Sequence, residues 1–302
     1  RGLGDVYKRQ LMNIAKKAGI IDALTKALRP VLAFLFPGVP KEHKANEYMA
    51  ANMISNVLGL GWAATPVGLK AMEELKKLNP DFFVTFAFGQ ILSQDVLDIP
   101  KYETINLHAS LLPKYRGANP IQRAIINGEK ETGICTMITE LGLDCGDVCL
   151  KEVIPISDNM TCVDLFEQIS DKSPELIEKT LTGLVENTIT PQKQCEDGVC
   201  MANKLTKEET LIDWSKPAEE IHNLVRGIYK FPSAYFKYND RAVKVLETRV
   251  VEGSAPCGEF VRASKEGVIV GCAKDCILLV KVKPEGKGEM SAKDWANGAL
   301  RP

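Results

Sequence analysis

Short apolar runs separated by polar, turn-forming residues recur along residues 80–190 and predict a β-sheet with intervening helices. Residues 82–88 are almost uninterruptedly apolar and aromatic, and this run is short enough for a buried parallel strand. β-Forming residues at 104–107 precede a turn-rich stretch, and another strand is expected near 134–139. The pattern therefore predicts an α/β fold for this part of the chain.

A helix is predicted between the last two of these strands. It begins at Pro120, because proline is favoured in the first turn of a helix. Ile121, Ala124 and Ile125 fall on one face and supply its apolar side. Gly128 is expected to end it, since glycine is common just past a helix C-terminus.

Residues 206–302 show a different pattern, in which short strand-like runs are separated by Gly and Pro. The runs are residues 242–246, 267–270 and 277–282, and a helix over residues 218–226 precedes them. This arrangement is typical of a small β-barrel. A polar stretch at 191–205 has the composition of a linker between the two predicted domains.

Residues 11–79 lack this strand-and-turn pattern and are expected to be helical. A stretch without any charged residue extends over residues 48–69 and is long enough to cross a bilayer. Asn52 and Pro66 make it a poor simple span, so a packed or re-entrant helical hairpin is expected. The polar residues 1–10 lack the apolar core of a secretory signal peptide.

Three side chains suited to acyl transfer lie near the predicted strand ends. Asn106 and His108 are two residues apart and should project from one face of a strand, and Asp144 lies in the loop after the next strand. When a nucleophile attacks an acyl carbon, negative charge develops on the carbonyl oxygen, and amide and imidazolium N–H groups stabilise that charge. A neighbouring carboxylate orients the ring and helps to move the proton of the nucleophile. This chemistry needs no metal ion.

Taken alone, each of these residues is more often a cap, a partly buried ring or a loop residue. The sequence motifs around these three residues favour a catalytic role for them. The sequences Asn-Leu-His-Ala-Ser-Leu-Leu-Pro-Lys-Tyr-Arg-Gly-Ala-Asn-Pro-Ile at 106–121 and Glu-Leu-Gly-Leu-Asp-Cys-Gly-Asp at 140–147 resemble the signature of the 10-formyltetrahydrofolate-dependent formyltransferases. The resemblance begins near Pro80 and continues to the C-terminus. It implies a partial Rossmann-like catalytic domain over 80–190, then an OB-like β-barrel domain over 206–302.

The resemblance also implies the roles of individual residues. Asn106, His108 and Asp144 are the implied catalytic residues, and 10-formyltetrahydrofolate is the implied co-substrate. The implied folate-binding residues are Phe88, Gly89, Gln90, Ile91 and Leu92, then Ser110, Leu111, Leu112 and Pro113, and finally Leu141, Gly142 and Leu143. Phe88, Ile91 and Leu92 have an alternative interpretation as core residues.

The implied reaction is formyl transfer to the amine of methionine on initiator tRNA, in translation initiation. Related transferases and hydrolases act on sugar nucleotides or on the folate itself. The barrel domain, with Pro-Glu-Gly-Lys at 284–287, argues against these alternatives. Three residues depart from the family pattern. Lys283 stands where Gln is usual, and Phe231 and Ser233 stand where the family has Trp and Gly in Trp-Pro-Gly. In the resembled family the barrel domain binds tRNA, and no DNA partner is expected.

The N-terminal quarter instead resembles an internal part of the spore maturation protein A family of membrane proteins. This resemblance rests on Leu-Met-Asn-Ile-Ala-Lys-Lys-Ala-Gly at 11–19, Leu-Phe-Pro-Gly-Val-Pro at 35–40 and Gly-Leu-Gly-Trp-Ala-Ala-Thr-Pro-Val-Gly-Leu-Lys-Ala-Met at 59–72. Residues 1–10 resemble an adapter-derived sequencing artefact. We expect a chimera joined at residues 76–79, with little activity because the first strands of the catalytic domain are missing. The alternative is a genuine fusion, and only then is membrane contact expected.

Composition adds limits on compartment, metals and partners. Nine cysteines without a C-x-x-C pair, and only three histidines, argue against a zinc site and suit a reducing cytoplasm. Residues 80–205 hold 10 Lys and Arg against 19 Asp and Glu, a net charge of −9. Residues 206–302 hold 16 against 14, a net charge of +2. The more basic C-terminal part fits contact with tRNA phosphates.

Overall fold

The computed structural model describes residues 19–35, 39–57, 61–87, 91–263 and 266–299. The chain divides into two compact units. The first contains Arg1–Phe83 and Leu92–Thr104, and the second contains Val84–Ile91 and Ile105–Pro302.

The first unit is predominantly helical, as predicted for residues 11–79. Its helices are α1 (Ile20–Leu35), α2 (Lys44–Val57), α3 (Gly61–Lys76) and the short α4 (Gln94–Leu97). Met49 and Ala50 of α2 pack with Leu32 of α1 and Ala71 of α3 in a small apolar core. Across the described ranges, no helix combines the length and the apolar character that a bilayer span requires.

A four-stranded sheet carries the predicted acyl-transfer residues. Its strands are β1 (Phe82–Phe86), β2 (Glu103–His108), β3 (Glu131–Ile138) and β4 (Val148–Pro155), in that order across the sheet. β2 pairs antiparallel with β3, and β3 pairs antiparallel with β4. Every residue of β3 from Thr132 to Met137 is buried, as expected for a strand covered on both faces.

β1 is less buried than the apolar run at 82–88 predicts. Phe83 is buried, whereas the side chains of Val84 and Phe86 are 44% and 42% exposed. β1 stands at one end of the sheet order, so in the described part of the chain no strand covers its outer edge. The prediction of a fully buried strand is therefore wrong for residues 82–86, and Phe88 lies outside the described residues.

Helices α5 (Pro120–Ile126) and α6 (Cys162–Val185) pack against the sheet. α5 begins at Pro120 and buries Ile121, Ala124 and Ile125, which confirms the predicted helix. α6 begins at a capping box, in which Thr161 and Asp164 each accept a hydrogen bond from the other's backbone N–H. Its apolar face joins β2, β3 and β4 in one core.

The C-terminal part of the second unit is a curled, antiparallel half-barrel with two helices. Its elements are a 3-10 turn (Glu208–Thr210), α7 (Ala218–Gly227), β5 (Tyr235–Tyr238), β6 (Arg241–Val251), β7 (Phe260–Ala263), β8 (Val268–Gly271), β9 (Cys276–Pro284), β10 (Met290–Ser291) and α8 (Ala292–Ala299). The strand order is β5-β6-β9-β8-β7, and β10 pairs with β9. Its core contains a cluster of aromatic rings with centroids 5.4 to 5.8 Å apart, formed by Trp214, Phe236, Tyr238, Phe260 and Trp295. The predicted small barrel thus takes the form of this half-barrel.

Candidate functional site

His108 ends β2, and its buried ring lies between two hydrogen-bond acceptors. Its Nε2 is 2.9 Å from the carbonyl oxygen of Tyr115, and its Nδ1 is 3.6 Å from Oδ2 of Asp144. A neutral imidazole carries one N–H and can donate toward only one of these oxygens, whereas the protonated ring donates toward both. The ring is therefore held with Nε2 at the Tyr115 carbonyl and with its Nδ1 edge facing the Asp144 side chain.

Asn106 lies on the same face of β2 as His108, because side chains two residues apart on a strand point the same way. The hydroxyl of Thr85, on β1, donates to Oδ1 of Asn106 at 3.1 Å. This hydrogen bond engages the carbonyl end of the amide. The Nδ2 end therefore points away from Thr85 and is available as a donor.

Asp144 lies in the loop between β3 and β4 with a φ of +48°, a left-handed conformation that non-glycine residues rarely adopt. The backbone N–H of Gly117 donates to its Oδ2 at 2.8 Å. Gly117 itself has a φ of +118°, and a Cβ there would lie 3.0 Å from the carbonyl oxygen of Ala202. Only glycine lets the backbone come this close, so Gly117 is needed to place the N–H beside the carboxylate.

Gln194 holds the same loop from the other side. Its Nε2 donates to the carbonyl oxygens of Asp144 at 2.9 Å and of Gly146 at 2.8 Å. Its Oε1 accepts from the guanidinium of Arg116, at 3.0 Å from Nε and 2.7 Å from Nη2. The segment 191–205, predicted as a linker, thus contributes a side chain to the surroundings of the site.

Sequence reasoning missed the groups that hold the three predicted side chains. Tyr115 and Gly117 stand inside the motif at 106–121, so the motif itself is a signal for them. Thr85 lies within an apolar run and Gln194 within a polar stretch, and neither has a motif around it.

The first predicted group of folate-binding residues is only partly described. Phe88, Gly89 and Gln90 lie outside the described residues. Ile91 is 68% exposed, whereas Leu92 is 2% exposed and packs with Phe83 and Val96 in a core of the first unit. The side chain of Leu92 is therefore a core side chain, and only its backbone can contact a ligand.

The second predicted group of folate-binding residues, 110–113, mainly stabilises the turn after β2. Ser110 is fully buried, and its hydroxyl donates to the carbonyl oxygen of Lys114 at 2.6 Å. Leu112 is also buried, in a small core beside β3 and β4, and its carbonyl oxygen accepts from the ammonium of Lys151. Leu111 and Pro113 are partly exposed, so they are the members whose side chains can meet a ligand.

The third predicted group lies on the loop of Asp144. Leu141 and Leu143 are 54% and 50% exposed, and Gly142 between them is exposed as well. Large apolar side chains this exposed, next to a held carboxylate, suit the binding of an apolar ring system.

Two other titratable side chains near the site, Tyr115 and Cys135, are neutral and have a structural role. Burial raises the pKa of Tyr115 to about 12, with Asn127 opposing and Glu129 reinforcing the shift, and the hydroxyl donates to Glu129 at 2.8 Å. Burial likewise raises the pKa of Cys135 to about 12, so this thiol is a poor nucleophile. Within the described ranges, no three His, Cys, Asp or Glu side chains are grouped so that they could hold a metal ion.

Comparison with known sequences matches both predicted domains to formyl transferases. The formyl transferase family model matches residues 44–181, and the model of the formyl transferase C-terminal domain matches residues 204–300. The methionyl-tRNA formyltransferase of Clostridium perfringens is 45% identical over 231 residues, which cover 76% of this chain and 75% of that protein. The first match reaches into residues 11–79, and the assignment of that segment to spore maturation protein A stays a prediction.

Solved structures share the fold. HypX from Aquifex aeolicus in complex with tetrahydrofolic acid has a TM-score of 0.59 at 18% identity, and the match covers 76% of this chain and 41% of HypX. The methionyl-tRNA formyltransferase from Clostridium thermocellum has a TM-score of 0.50 at 19% identity, and the match covers 72% of this chain and 82% of that one.

Proposed function

This chain belongs to the formyl transferase family, and from that premise we propose that Asn106, His108 and Asp144 form its active site. The reaction moves a formyl group from 10-formyltetrahydrofolate to the amino group of methionine on initiator tRNA. The relatives' name, methionyl-tRNA formyltransferase, gives the transferred group and the acceptor. One observation carries the assignment of the site. The buried His108 ring lies between the Tyr115 carbonyl and the Asp144 carboxylate, on the strand face that also carries Asn106.

The residues of the Asp144 loop fit the folate. Leu141 and Leu143 expose apolar surface to a flat pterin ring, and they flank the glycine at 142, which leaves the backbone accessible. Ile91 offers further exposed apolar surface in the same compact unit. When bound, 10-formyltetrahydrofolate supplies the formyl group that is transferred.

Asn106 and His108 are the donors for the formyl oxygen, on which negative charge develops during attack by the amine. The Nδ2 of Asn106 is directed away from Thr85, and Nδ1 is the ring nitrogen of His108 that can donate to the formyl oxygen, because Nε2 is engaged with the Tyr115 carbonyl. As the amine nitrogen bonds to the formyl carbon, the bond from that carbon to N10 of the folate breaks. The amine loses a proton to Oδ2 of Asp144, and this proton is returned to N10 as tetrahydrofolate leaves. The 3.6 Å between this oxygen and Nδ1 of His108 exceeds a direct hydrogen bond, and a bridging group can therefore pass a proton between them.

The half-barrel at 206–302 is assigned to tRNA binding. Its net charge of +2, from 16 Lys and Arg against 14 Asp and Glu, suits the phosphate backbone. Arg226 of α7 donates to the carbonyl oxygens of Ser157 at 3.2 Å and Met160 at 2.9 Å, which fixes the half-barrel against the loop between β4 and α6. None of the nine cysteines, all of which are described, is in a disulfide, which suits a reducing compartment.

A direct assay tests the substrate. The purified chain is given 10-formyltetrahydrofolate with either methionyl initiator tRNA, a nucleotide-linked amino sugar or no acceptor, and the formylated products and free formate are quantified. We expect formyl-methionyl-tRNA as the main product, formed at the low rate expected of a chain in which no strand among the described residues covers the outer edge of β1. Transfer to the amino sugar, or release of formate, without transfer to the tRNA would contradict the proposed function.

A further inference from the structure

Gln194 is a buried side chain whose amide is hydrogen-bonded at both ends. It is 8% exposed, and both ends of its amide are used, by two carbonyl oxygens on one side and the guanidinium of Arg116 on the other. Arg116 can only donate, so it fixes Oε1 on its own side of the amide. The Nε2 hydrogens are thereby directed at Asp144 and Gly146, and the two orientations of the amide are not equivalent.

The backbone that Gln194 holds needs outside support. Asp144 has a φ of +48°, which is unfavourable for a residue with a side chain unless surrounding contacts maintain it. The N–H of Gly117 holds the carboxylate, and the hydrogen bonds from Gln194 hold the carbonyl oxygens of Asp144 and Gly146. Without them the loop can relax, and Oδ2 of Asp144 moves relative to His108.

The same segment also supports the other partner of His108. The N–H of Tyr115 donates to Sγ of Cys200 at 3.2 Å, and the N–H of Arg116 donates to the carbonyl oxygen of Cys200 at 2.9 Å. The N–H of Ala202 donates to the carbonyl oxygen of Arg116 at 2.6 Å. Residues 194–202 therefore hold both of the residues that flank the His108 ring. These are Tyr115, which supplies the carbonyl, and Asp144, which supplies the carboxylate.

We propose that Gln194 is a positioning residue for formyl transfer, which acts by holding the Asp144 loop so that the carboxylate faces Nδ1 of His108. This inference rests on the proposed function, because that proposal places Asp144 in the active site. Residues 191–205, which join the two domains, then help to position the catalytic residues and do not serve only as a linker.

Three variants of the full chain separate this role from a general structural one. Gln194→Ala removes all the hydrogen bonds of the amide, whereas Gln194→Glu still accepts from Arg116 but cannot donate to the loop. We expect both to lower kcat by about 10- to 100-fold, as displacement of a catalytic group by about 1 Å does, with little change in KM for the tRNA. Gln192→Ala is the matched control, because its side chain is exposed and donates only to Thr190 in the same segment.

A double variant tests whether Gln194 acts through Asp144. Gln194→Ala should add no further loss to Asp144→Ala, because groups that act as a unit are not additive. Losses that multiply, or a Gln194→Glu variant with nearly full kcat, would overturn the inference. A fully active Asp144→Ala would instead refute the proposed site itself, so the two failures are distinguishable.

Hydrogen exchange gives a readout that does not depend on activity. In Gln194→Ala the amides of residues 141–147 should exchange faster than in the unmodified chain, while those of β9 stay unchanged, and Gln192→Ala should leave both as they are. Unchanged exchange at 141–147 would overturn the inference. If Gln194→Ala does not fold, Gln194→Glu answers the same question, because it keeps the contact with Arg116.

Discussion

At the scale of single residues, the chemistry of the site depends on which hydrogen bonds the neighbours of each side chain can donate or accept. Thr85 is an example, because its hydroxyl donates to Oδ1 of the Asn106 amide at 3.1 Å and so favours the orientation in which Nδ2 faces away from it. If that hydroxyl were absent, the amide could rotate by half a turn and present its oxygen, instead of its N–H groups, to the developing negative charge.

The first prediction follows from this contact. Thr85→Val, which keeps the shape of the side chain but removes the hydroxyl, should lower kcat by about 10-fold, the effect of losing roughly one ordinary hydrogen bond in the transition state. Thr85→Ser, which keeps the hydroxyl, should remain close to the unmodified enzyme. The measurement is the rate of formyl transfer at saturating substrates, and an unchanged rate for Thr85→Val would show that Asn106 is oriented by other contacts.

Only some residues of the site were predictable. Asn106, His108 and Asp144 stand in long motifs, and the alternation of a strand suffices to put Asn106 and His108 on one face. The partners that hold them come from far along the chain, since Thr85 is 21 residues from Asn106 and Gln194 is 50 residues from Asp144. Such pairs depend on how the chain folds back, which a local pattern does not specify.

At the scale of elements, α5 connects the catalytic sheet to the start of the half-barrel. Its Arg123 forms an ion pair with Glu209 of the 3-10 turn at 2.6 Å, and its Nε donates to the carbonyl oxygen of Asn203. The hydrogen bond from Arg123 lowers the pKa of Glu209 to about 2. A depressed carboxyl pKa means that the charged form stabilises the folded protein, so this contact stabilises the junction near neutral pH.

The second prediction concerns the pH dependence of that stabilisation. The contribution of Glu209 should be complete above its ordinary pKa of 4.5 and should be lost as the pH falls through about 2. Because the Glu209 side chain is 38% exposed, screening limits it to about 1 kcal/mol. Urea unfolding should therefore show Glu209→Gln less stable by about this amount near neutral pH and equal to the unmodified chain near pH 2. A difference that does not change with pH would contradict this explanation.

Local patterns predicted some elements and missed others for identifiable reasons. α5 and α7 were predicted within a residue or two. Each has an apolar face and a glycine at or near its end, and Pro120 marks the start of α5. β4 was not predicted, since Lys151 and Glu152 interrupt its apolar residues, and α6 was not predicted, since Pro174 lies inside it. The pairing of β6 with β9 also depends on tertiary structure, because strands so far apart in sequence have no local signal.

At the scale of the whole molecule, the half-barrel places two lysines opposite each other where β6 and β9 pair. Lys244 of β6 lies directly opposite Lys283 of β9, and both side chains are exposed. Like charges directly opposite each other on a sheet destabilise it, and a bound phosphate would remove this repulsion. This pair is therefore a specific candidate for contact with the tRNA backbone.

The third prediction uses this pair. Changing Lys244 and Lys283 together to Gln should weaken tRNA binding and reduce the slope of log affinity against log salt concentration by about two, one for each lysine that no longer neutralises a phosphate. Thermal stability should stay equal or rise, because the repulsion is also removed. Lys179→Gln on α6, where the lysine pairs with Glu175, is the control and should leave binding unchanged. An unchanged salt slope in the double variant would place the tRNA elsewhere.

The fourth prediction concerns residues 11–79 and their join to the rest of the chain. If this segment derives from another gene, individual sequencing reads of the source DNA should not continue across residues 76–81. The formyl transferase match that begins at residue 44 makes this a sharp test, since it overlaps the proposed foreign segment. Reads that cross the join without interruption would show that the segment is a genuine part of the protein.

The central claim is that Asn106, His108 and Asp144 carry out formyl transfer, and the most direct test measures turnover of single variants of the first two. With methionyl initiator tRNA and saturating 10-formyltetrahydrofolate, Asn106→Ala should lower turnover by roughly 10²- to 10³-fold, the usual effect of removing one donor to a developing oxyanion. His108→Ala should lose at least as much, because it removes the second donor and the partner of Asp144. Near-normal turnover of His108→Ala, with folding confirmed by its unfolding transition, would contradict the account.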